Sequence, residues 1–250
     1  MLEFKDVSFK YESDNEYMMK NLSFNVGKGE FVSIIGASGC GKSTIFRLIN
    51  GLEKLQSGNV LVGGQDIEKQ KNYSAFMPQK DLLFPWRSIE KNLALPLEVQ
   101  GIDKKEIHKR VNEVLEEIGL SAYAKKFPKD LSGGMKQRVS FGRTLLTGSE
   151  LLLLDEPFSA LDSLTRIDMQ EWLLKQQQHF GKTILFITHD VEEAIFLSNR
   201  VFVIKDRPFS SMESVDIPLD YPRERSLLKK ENIVALKEDL ISKIRRGVSL

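Results

Sequence analysis

The chain has 250 residues, of which 41% are hydrophobic and 28% charged, a composition typical of a soluble globular protein with a sizeable core. Its 36 basic and 35 acidic residues leave a net charge of +1. This balance excludes binding of nucleic acid or anionic lipid through the electrostatic field of the whole chain. Cys40 is the only cysteine, so an intramolecular disulfide is excluded as well.

The sequence predicts no membrane span of its own. The most apolar run, 151–154, ends at Asp155 and Glu156, far short of the roughly 20 apolar residues that a spanning helix needs. The first ten residues carry charges and no apolar stretch, so we expect no signal peptide. If the protein works at a membrane, a partner supplies the membrane part.

The first third of the chain predicts β-strands. Apolar residues alternate over 2–9 and over 22–26, and glycine turns follow the second of these segments. The short apolar run 31–35 then ends in a glycine-rich turn, and a helix is predicted over 43–51. Strand, glycine loop and helix in this order begin a βαβ unit.

The middle of the chain predicts a helical insert. Residues 86–148 lack strand character, and apolar residues over 107–118 recur at helical spacing until Gly119. Strands return at 151–154, 183–188 and 201–204, and an amphipathic helix over 223–246 is expected to pack on the core. We predict one domain over 1–250. Its parts are a core of 1–85 and 149–205, a helical lobe of 86–148 and a C-terminal strand and helix tail of 206–250.

Residues 36–44, GASGCGKST, match the phosphate-loop pattern between the predicted strand and helix. The glycines let backbone N–H groups wrap phosphates, Lys42 adds a charge at the β- and γ-phosphates, and the Ser43 hydroxyl suits Mg²⁺. Packing is the role expected for the Cys40 side chain. The predicted phosphate-binding residues of this ATP site are Gly36, Ser38, Gly39, Cys40, Gly41, Lys42, Ser43 and Thr44.

Two carboxylates follow the apolar strand at 151–154. Ligands of parallel sheets bind at the carboxyl ends of the strands, which brings this pair beside the phosphate loop. Asp155 is suited to hold Mg²⁺, and Glu156 to polarise a water for attack on the γ-phosphate.

A third motif, LSGG at 131–134, lies upstream of the acidic pair. Ser132 is a good N-cap, and Gly133 and Gly134 let an anion approach the exposed amides. With the three motifs in this order, residues 1–205 resemble the ATP-binding subunits of ABC transporters. The resemblance implies an α/β fold of the P-loop NTPase class: a RecA-like parallel sheet core, an N-terminal antiparallel β subdomain and a helical lobe that carries the signature.

The resemblance also implies roles for residues that no local pattern singles out. Tyr11 resembles the aromatic residue that stacks on adenine, and Gln79 resembles the glutamine that reaches Mg²⁺ and the attacking water. His189 resembles the histidine that touches the γ-phosphate. Ser159 and Asp162 match the segment called the D-loop. Met135 stands where many members carry glutamine, but the residues that face the nucleotide are intact.

The family's assembly implies a homodimer. Two chains pack head-to-tail, and each ATP lies between the Lys42 loop of one chain and the Ser132 turn of the other. The resemblance also implies that a membrane permease docks near Gln79–Trp86; the alternative for the apolar run 82–86 is a hinge between the lobes. The segment 77–101 resembles the nitrate, sulfonate and taurine importer branch, which includes importers of thiamine-precursor pyrimidines.

That branch implies an extracytoplasmic solute-binding protein in the same complex and a peripheral position on the cytoplasmic face of the cell membrane. The solute would be a small anion or a vitamin precursor. Three alternatives stay open: the ATPase of a split exporter, a non-transport ABC ATPase acting on nucleic acid or ribosomes, and a catalytically silent subunit. A simple P-loop kinase has no use for LSGG. The near-neutral charge and the intact Lys42, Glu156 and His189 argue against the last two alternatives.

Overall fold

The computed structural model describes residues 1–246. The strands are β1 (Leu2–Phe9), β2 (Met19–Val26), β3 (Phe31–Gly36), β4 (Ser57–Val62), β5 (Gln65–Asp66), β6 (Ser74–Met77), β7 (Leu151–Asp155), β8 (Thr183–Ile187), β9 (Arg200–Ile204) and β10 (Glu213–Asp216). The helices are α1 (Lys42–Ile49), α2 (Ile89–Val99), α3 (Lys104–Glu117), α4 (Gly133–Leu145), α5 (Ser163–Phe180), α6 (Val191–Leu197) and α7 (Glu231–Arg246).

The central sheet has the strand order β10-β9-β3-β8-β7-β6 and is parallel except for the antiparallel edge strand β10. Its inner strands β3 and β8 are buried along their whole length, as expected for a parallel sheet covered on both faces. The carboxyl ends of β3, β7 and β8 meet at one edge. The phosphate loop, the acidic pair and the residues before His189 therefore lie side by side.

A second, antiparallel sheet has the order β2-β1-β4-β5. Its apolar face shares one core with α1 and with residues of β3 and β7, so the phosphate loop is supported from below by both sheets. Gly58 is required in this sheet: its φ is +85°, and a Cβ there would lie 2.4 Å from the Asp6 carbonyl oxygen. The α/β fold with an antiparallel subdomain is confirmed.

Helices α2, α3 and α4 form a lobe with its own apolar core. They approach closely at Gly142, where a Cβ would lie 2.9 Å from Val114 and 3.1 Å from Leu93. The Asp103 side chain caps α3 by accepting from two backbone N–H groups, and Gly119 follows the end of α3 with a φ of +69°.

The C-terminal tail differs from its prediction at one point. The helix predicted from residue 223 begins only at Glu231, after a short 3-10 turn over Arg225–Lys229. Arg223 is buried, and its guanidinium donates to backbone carbonyls that include those of Ile195 and Ser198. These contacts hold the chain between Arg223 and α7 in a conformation that is not α-helical. Residues 247–250 of the predicted tail lie outside the described residues. Over residues 1–246, no helix is long and apolar enough to span a membrane.

Candidate active site

The phosphate loop is a tight turn between β3 and α1. Gly39 and Gly41 have φ angles of +76° and +109°, which favour glycine over other residues. A Cβ on Gly36 would lie 2.9 Å from both the Ile204 carbonyl oxygen and the Cys40 sulfur. The loop thus folds closely onto the start of α1, and Ser38 and Gly39 are exposed to solvent.

A cleft of about 530 Å³ opens over this loop, a size typical of a small-molecule site. It brings together residues predicted from separate motifs: the aromatic residue, the phosphate loop, the acid and the histidine. The lining residues are Tyr11, Met18, Ser38, Gly39, Gly41, Lys42, Ser43, Thr44, Glu156 and His189. Met18 was not predicted. It lies in an irregular segment before β2, and only its contact with the phosphate loop reveals it.

Lys42 is held by its own loop. The side chain is 7% exposed, and its Nζ donates to the carbonyl oxygens of Gly36 and Ala37, both at 2.9 Å. Cys40 points away from the cleft into the core, and burial raises the pKa of its thiol. Gly36 and Cys40, which were predicted to contact phosphate, do not line the cleft, whereas the other six predicted loop residues do.

Asp155 ends β7 facing α1, and its Oδ1 accepts from the Ser43 hydroxyl at 3.4 Å. Burial raises the pKa of the Asp155 carboxyl, the hydrogen bond from Ser43 opposes the shift, and the charge of Glu156 adds to it. A hydroxyl and a carboxylate side by side are hard oxygen donors of the kind that Mg²⁺ takes in proteins. The residues present therefore fit the ion.

Glu156 occupies an unusual backbone conformation. Its φ is +43°, in the left-handed region that costs a non-glycine residue about 1–3 kcal/mol. The backbone N–H donates to the Ile187 carbonyl at 2.9 Å, which fixes this turn against β8. The carboxylate Oε2 lies 3.2 Å from Nδ1 of His189 and 3.3 Å from Nε2 of Gln79. The strained turn aims the carboxylate across the cleft.

Gln79 also connects the site to the predicted D-loop. Its Nε2 donates to the Ser159 hydroxyl oxygen at 3.1 Å, and this hydroxyl donates to the Glu156 carbonyl at 2.9 Å. Asp162 caps α5 by accepting from the Thr165 N–H at 3.1 Å. On the opposite side of the cleft, the Tyr11 hydroxyl lies 3.0 Å from the Thr44 hydroxyl, so the ring stands beside the phosphate loop.

The signature lies apart from these residues. Ser132 is exposed and caps α4 by accepting from the Met135 N–H at 3.3 Å. Gly134 packs tightly on α5, since a Cβ there would lie 2.6 Å from Thr165. Among the described residues that line the Lys42 cleft, none belongs to the signature. A single chain therefore does not bring Ser132 to its own phosphate loop.

A parallel sheet with a glycine-rich phosphate loop after β3, and an acidic pair at the end of β7 on the far side of β8, defines a P-loop NTPase. The model of the ABC transporter family matches residues 19–159. The chain belongs to this family, and it is an ATP-hydrolysing subunit whose hydrolysis is coupled to transport.

The chain is 41% identical over 242 residues to the formylaminopyrimidine import ATP-binding protein ThiZ of Halalkalibacterium halodurans, covering 96% of this chain and 94% of ThiZ. It is 36% identical over 239 residues to the aliphatic sulfonates import ATP-binding protein SsuB of Bacillus cereus, covering 96% and 93%. The dimeric structure of the ATP-binding cassette MJ0796 bound to ADP and Pi matches with a TM-score of 0.73 and 30% identity, covering 88% and 100%. The predicted resemblance to the family and to this branch is confirmed.

Proposed function

We propose that this chain is the ATPase subunit of an ABC importer, and that two copies bind and hydrolyse ATP between them. One observation carries the proposal. The cleft gathers a phosphate loop, an acid and a histidine in one chain, while the signature of the same chain faces elsewhere. A site built this way is completed by the signature of a second chain.

In this site the phosphates of ATP would lie on the amides of the loop and on Lys42, with adenine against Tyr11. The phosphate-contacting residues proposed are those predicted from the loop: Gly36, Ser38, Gly39, Cys40, Gly41, Lys42, Ser43 and Thr44. Ser43 and Asp155, with Gln79, would hold Mg²⁺, which when bound neutralises charge on the β- and γ-phosphate oxygens. The Ser43–Asp155 contact supports this set.

Glu156 is the proposed general base for the attacking water. Its carboxylate is the acceptor that Gln79 and His189 both reach, so the water would sit against a fixed oxygen. Gln79 would orient this water, and His189 would touch the γ-phosphate. Ser159 and Asp162 would couple the presence of the γ-phosphate in this site to the position of α5 and, through α5, to the second chain.

His189→Ala should hydrolyse ATP about 100-fold more slowly, because a group that contacts the γ-phosphate contributes a few kcal/mol to the barrier. ATP affinity should change little, since the phosphate loop and Tyr11 are untouched. Phosphate release and nucleotide titration of the purified protein measure the two effects. His108→Ala, at a helix-surface histidine that contacts Asn112, is the matched control and should behave as wild type. Equal hydrolysis by His189→Ala and wild type would contradict the role.

The proposed dimer is head-to-tail. Ser132, Gly133 and Gly134 of one chain would face the γ-phosphate on the Lys42 loop of the other, so the interface repeats about a twofold axis. The exposed Ser132 and the dimeric MJ0796 structure support this arrangement. Closure by ATP and opening after hydrolysis would be the switch that drives transport.

The importer assignment draws on the relatives, because ThiZ and SsuB are both named import ATP-binding proteins. By analogy, the complex would contain an integral membrane permease and an extracytoplasmic solute-binding protein. The solute would be a small anion or a vitamin precursor, and the chain would lie peripherally on the cytoplasmic face of the cell membrane. The chain would not act on nucleic acid.

An exposed apolar patch after Gln79 supports permease docking. The side chains of Leu82 and Trp86, both within the run 82–86, are 59% and 72% exposed, and apolar side chains exposed together mark interaction sites. The patch is held in shape from the signature helix, where Arg143 donates to the carbonyl oxygens of Asp81 at 2.8 Å and Leu82 at 2.9 Å. A rigid apolar anchor of this kind suits a docking partner better than a mobile hinge.

The test is to purify the tagged protein from membranes of its host in mild detergent and to identify the proteins that come with it. A multi-span membrane subunit and a solute-binding protein should be recovered with wild type and with Val234→Ala, whose exposed side chain lies on α7. Trp86→Ala should lose both. Recovery of ribosomes or DNA without a membrane subunit would contradict the transporter assembly. A membrane subunit without any solute-binding protein would instead favour a split exporter.

A further inference from the structure

A buried polar network lies behind the His189 loop, outside the ATP cleft. Glu193, in the first turn of α6, is 6% exposed, and its two carboxylate oxygens accept hydrogen bonds from two other elements. The Thr188 hydroxyl donates to Oε2 at 2.5 Å, and Nε2 of Gln170 on α5 donates to Oε1 at 2.9 Å. Since Thr188 directly precedes His189, one carboxylate ties the histidine loop to α5.

The direction of the hydrogen bonds is fixed at both ends of the network. Arg225, in the C-terminal tail, donates to Oε1 of Gln170. Because a guanidinium can only donate, this contact turns Nε2 of Gln170 toward Glu193. At the other end, the Asp190 N–H donates to the Thr188 oxygen at 3.0 Å, while the Thr188 hydrogen points to Glu193. The group at position 193 must therefore accept on both sides.

The network also fixes the backbone on both sides of the histidine. The Thr188 N–H donates to the Ile34 carbonyl at 3.4 Å, and the Asp190 side chain caps α6 by accepting from the N–H groups of Glu192 and Glu193. His189 itself is 62% exposed and has its one described side-chain contact with Glu156. The imidazole is thus held mainly through the residues next to it.

Burial raises the pKa of the Glu193 carboxyl, and the hydrogen bond from Thr188 opposes the shift. Asp190 adds to the shift, whereas Arg166, whose Nε lies 3.9 Å from Oε1, and Gln170 oppose it. A buried acceptor with two matched donors holds its neighbours firmly. A donor placed opposite a donor at this site leaves a polar group unsatisfied and shifts the loop.

We infer that Glu193 is a positioning residue for His189. By accepting from Thr188 and Gln170 it aims the imidazole at Glu156, and Arg225 of the tail keeps the network in register through Gln170. The effect on turnover rests on the proposed role of His189 in hydrolysis. The placement of the ring is independent of that role and is measured separately.

The direction of these hydrogen bonds predicts that a double variant with unchanged net charge can restore the network that each single variant disrupts. Glu193→Gln puts an amide NH₂ opposite a donor, and Gln170→Glu puts two carboxylates together. In the double variant, the amide at 193 accepts from Thr188 and donates to the carboxylate at 170, which accepts from Arg225. The Thr188 hydroxyl, the amide at 193 and Arg225 are then each matched with an acceptor again. Each single variant should therefore be impaired, and the double variant should be restored.

The first experiment uses the Cε1–H NMR signals of the histidines. The chain has three histidines, so His108 and His179 serve as internal controls and His189→Ala assigns the third signal. Glu193→Gln should move or broaden only the His189 signal, and adding Gln170→Glu should return it. Gln170→Leu, which removes the donor from α5 and keeps the carboxylate, should move the same signal and is the second variant if Glu193→Gln does not fold. An unmoved His189 signal in folded Glu193→Gln or Gln170→Leu, or a folded double variant with a moved signal, would overturn the inference.

The second experiment measures phosphate release. Glu193→Gln should lower kcat about tenfold with KM for ATP unchanged, and should have no further effect in the His189→Ala background. Equal losses in both backgrounds would mean that Glu193 acts only on folding. If His189→Ala itself hydrolyses normally, the proposed role of His189 fails, while the NMR result still decides whether Glu193 positions the ring.

Discussion

Glu156→Gln should bind MgATP as wild type does, hydrolyse it about 10²–10⁴-fold more slowly and accumulate as a dimer. The amide has the size of the carboxylate and keeps an oxygen for Gln79 and His189, which contact the native side chain at 3.3 and 3.2 Å. It cannot take a proton from water. Since the γ-phosphate is then not removed, the ligand that joins the two chains stays in place.

Sedimentation with and without MgATP, together with phosphate release, measures both effects. Lys42→Ala in the Glu156→Gln background is the control, because it removes the charge at the phosphate loop and should give monomer under all conditions. A Glu156→Gln protein that stays monomeric at saturating MgATP would contradict the proposal that two chains share each ATP site. Wild-type hydrolysis by that variant would instead refute the general base and leave the dimer untouched.

Ser132→Arg, in the Glu156→Gln background, should abolish the ATP-driven dimer while the monomer still binds ATP. Ser132 is exposed at the start of α4, and a long side chain there would fill the space that the partner's nucleotide needs. The chain's own cleft is unaffected, because the signature does not line it. Nucleotide titration and sedimentation separate binding from dimerisation.

Two controls make this test specific. Ser132→Ala removes the cap, which costs about 0.5–2 kcal/mol of stability, but leaves the space open, so it should still dimerise. Mixing Ser132→Arg with Lys42→Ala should form heterodimers that contain one intact site, since the damaged loop and the damaged signature then fall in the same site. Dimerisation of Ser132→Arg alone, or no heterodimer in the mixture, would defeat the head-to-tail arrangement.

The fold and much of the site could be predicted because their signals are local. The alternation of 2–9, the apolar run of β3 and the phosphate loop each occupy a few consecutive residues whose pattern reports burial and turn geometry. The fold class then follows from their order. Where the strands end in a parallel sheet is also predictable, which is why the approach of Asp155 to Ser43 was expected.

The remaining features depend on contacts between distant segments. Nothing near Glu156 in the sequence predicts its left-handed backbone, which the pairing with β8 imposes. The late start of α7 depends on Arg223 reaching carbonyls at the end of α6. The Glu193 network joins residues from the histidine loop, α5 and the tail, so no periodic pattern carries it.

The backbone at Glu156 sets stability against function. Glycine would adopt this conformation without strain, but glycine carries no carboxylate. The residue that would be most stable at position 156 is therefore one that could not split ATP. The contacts of the surrounding sheet have to offset the free energy that this strained backbone costs. Selection for a more stable protein and selection for an active one therefore pull this residue in opposite directions.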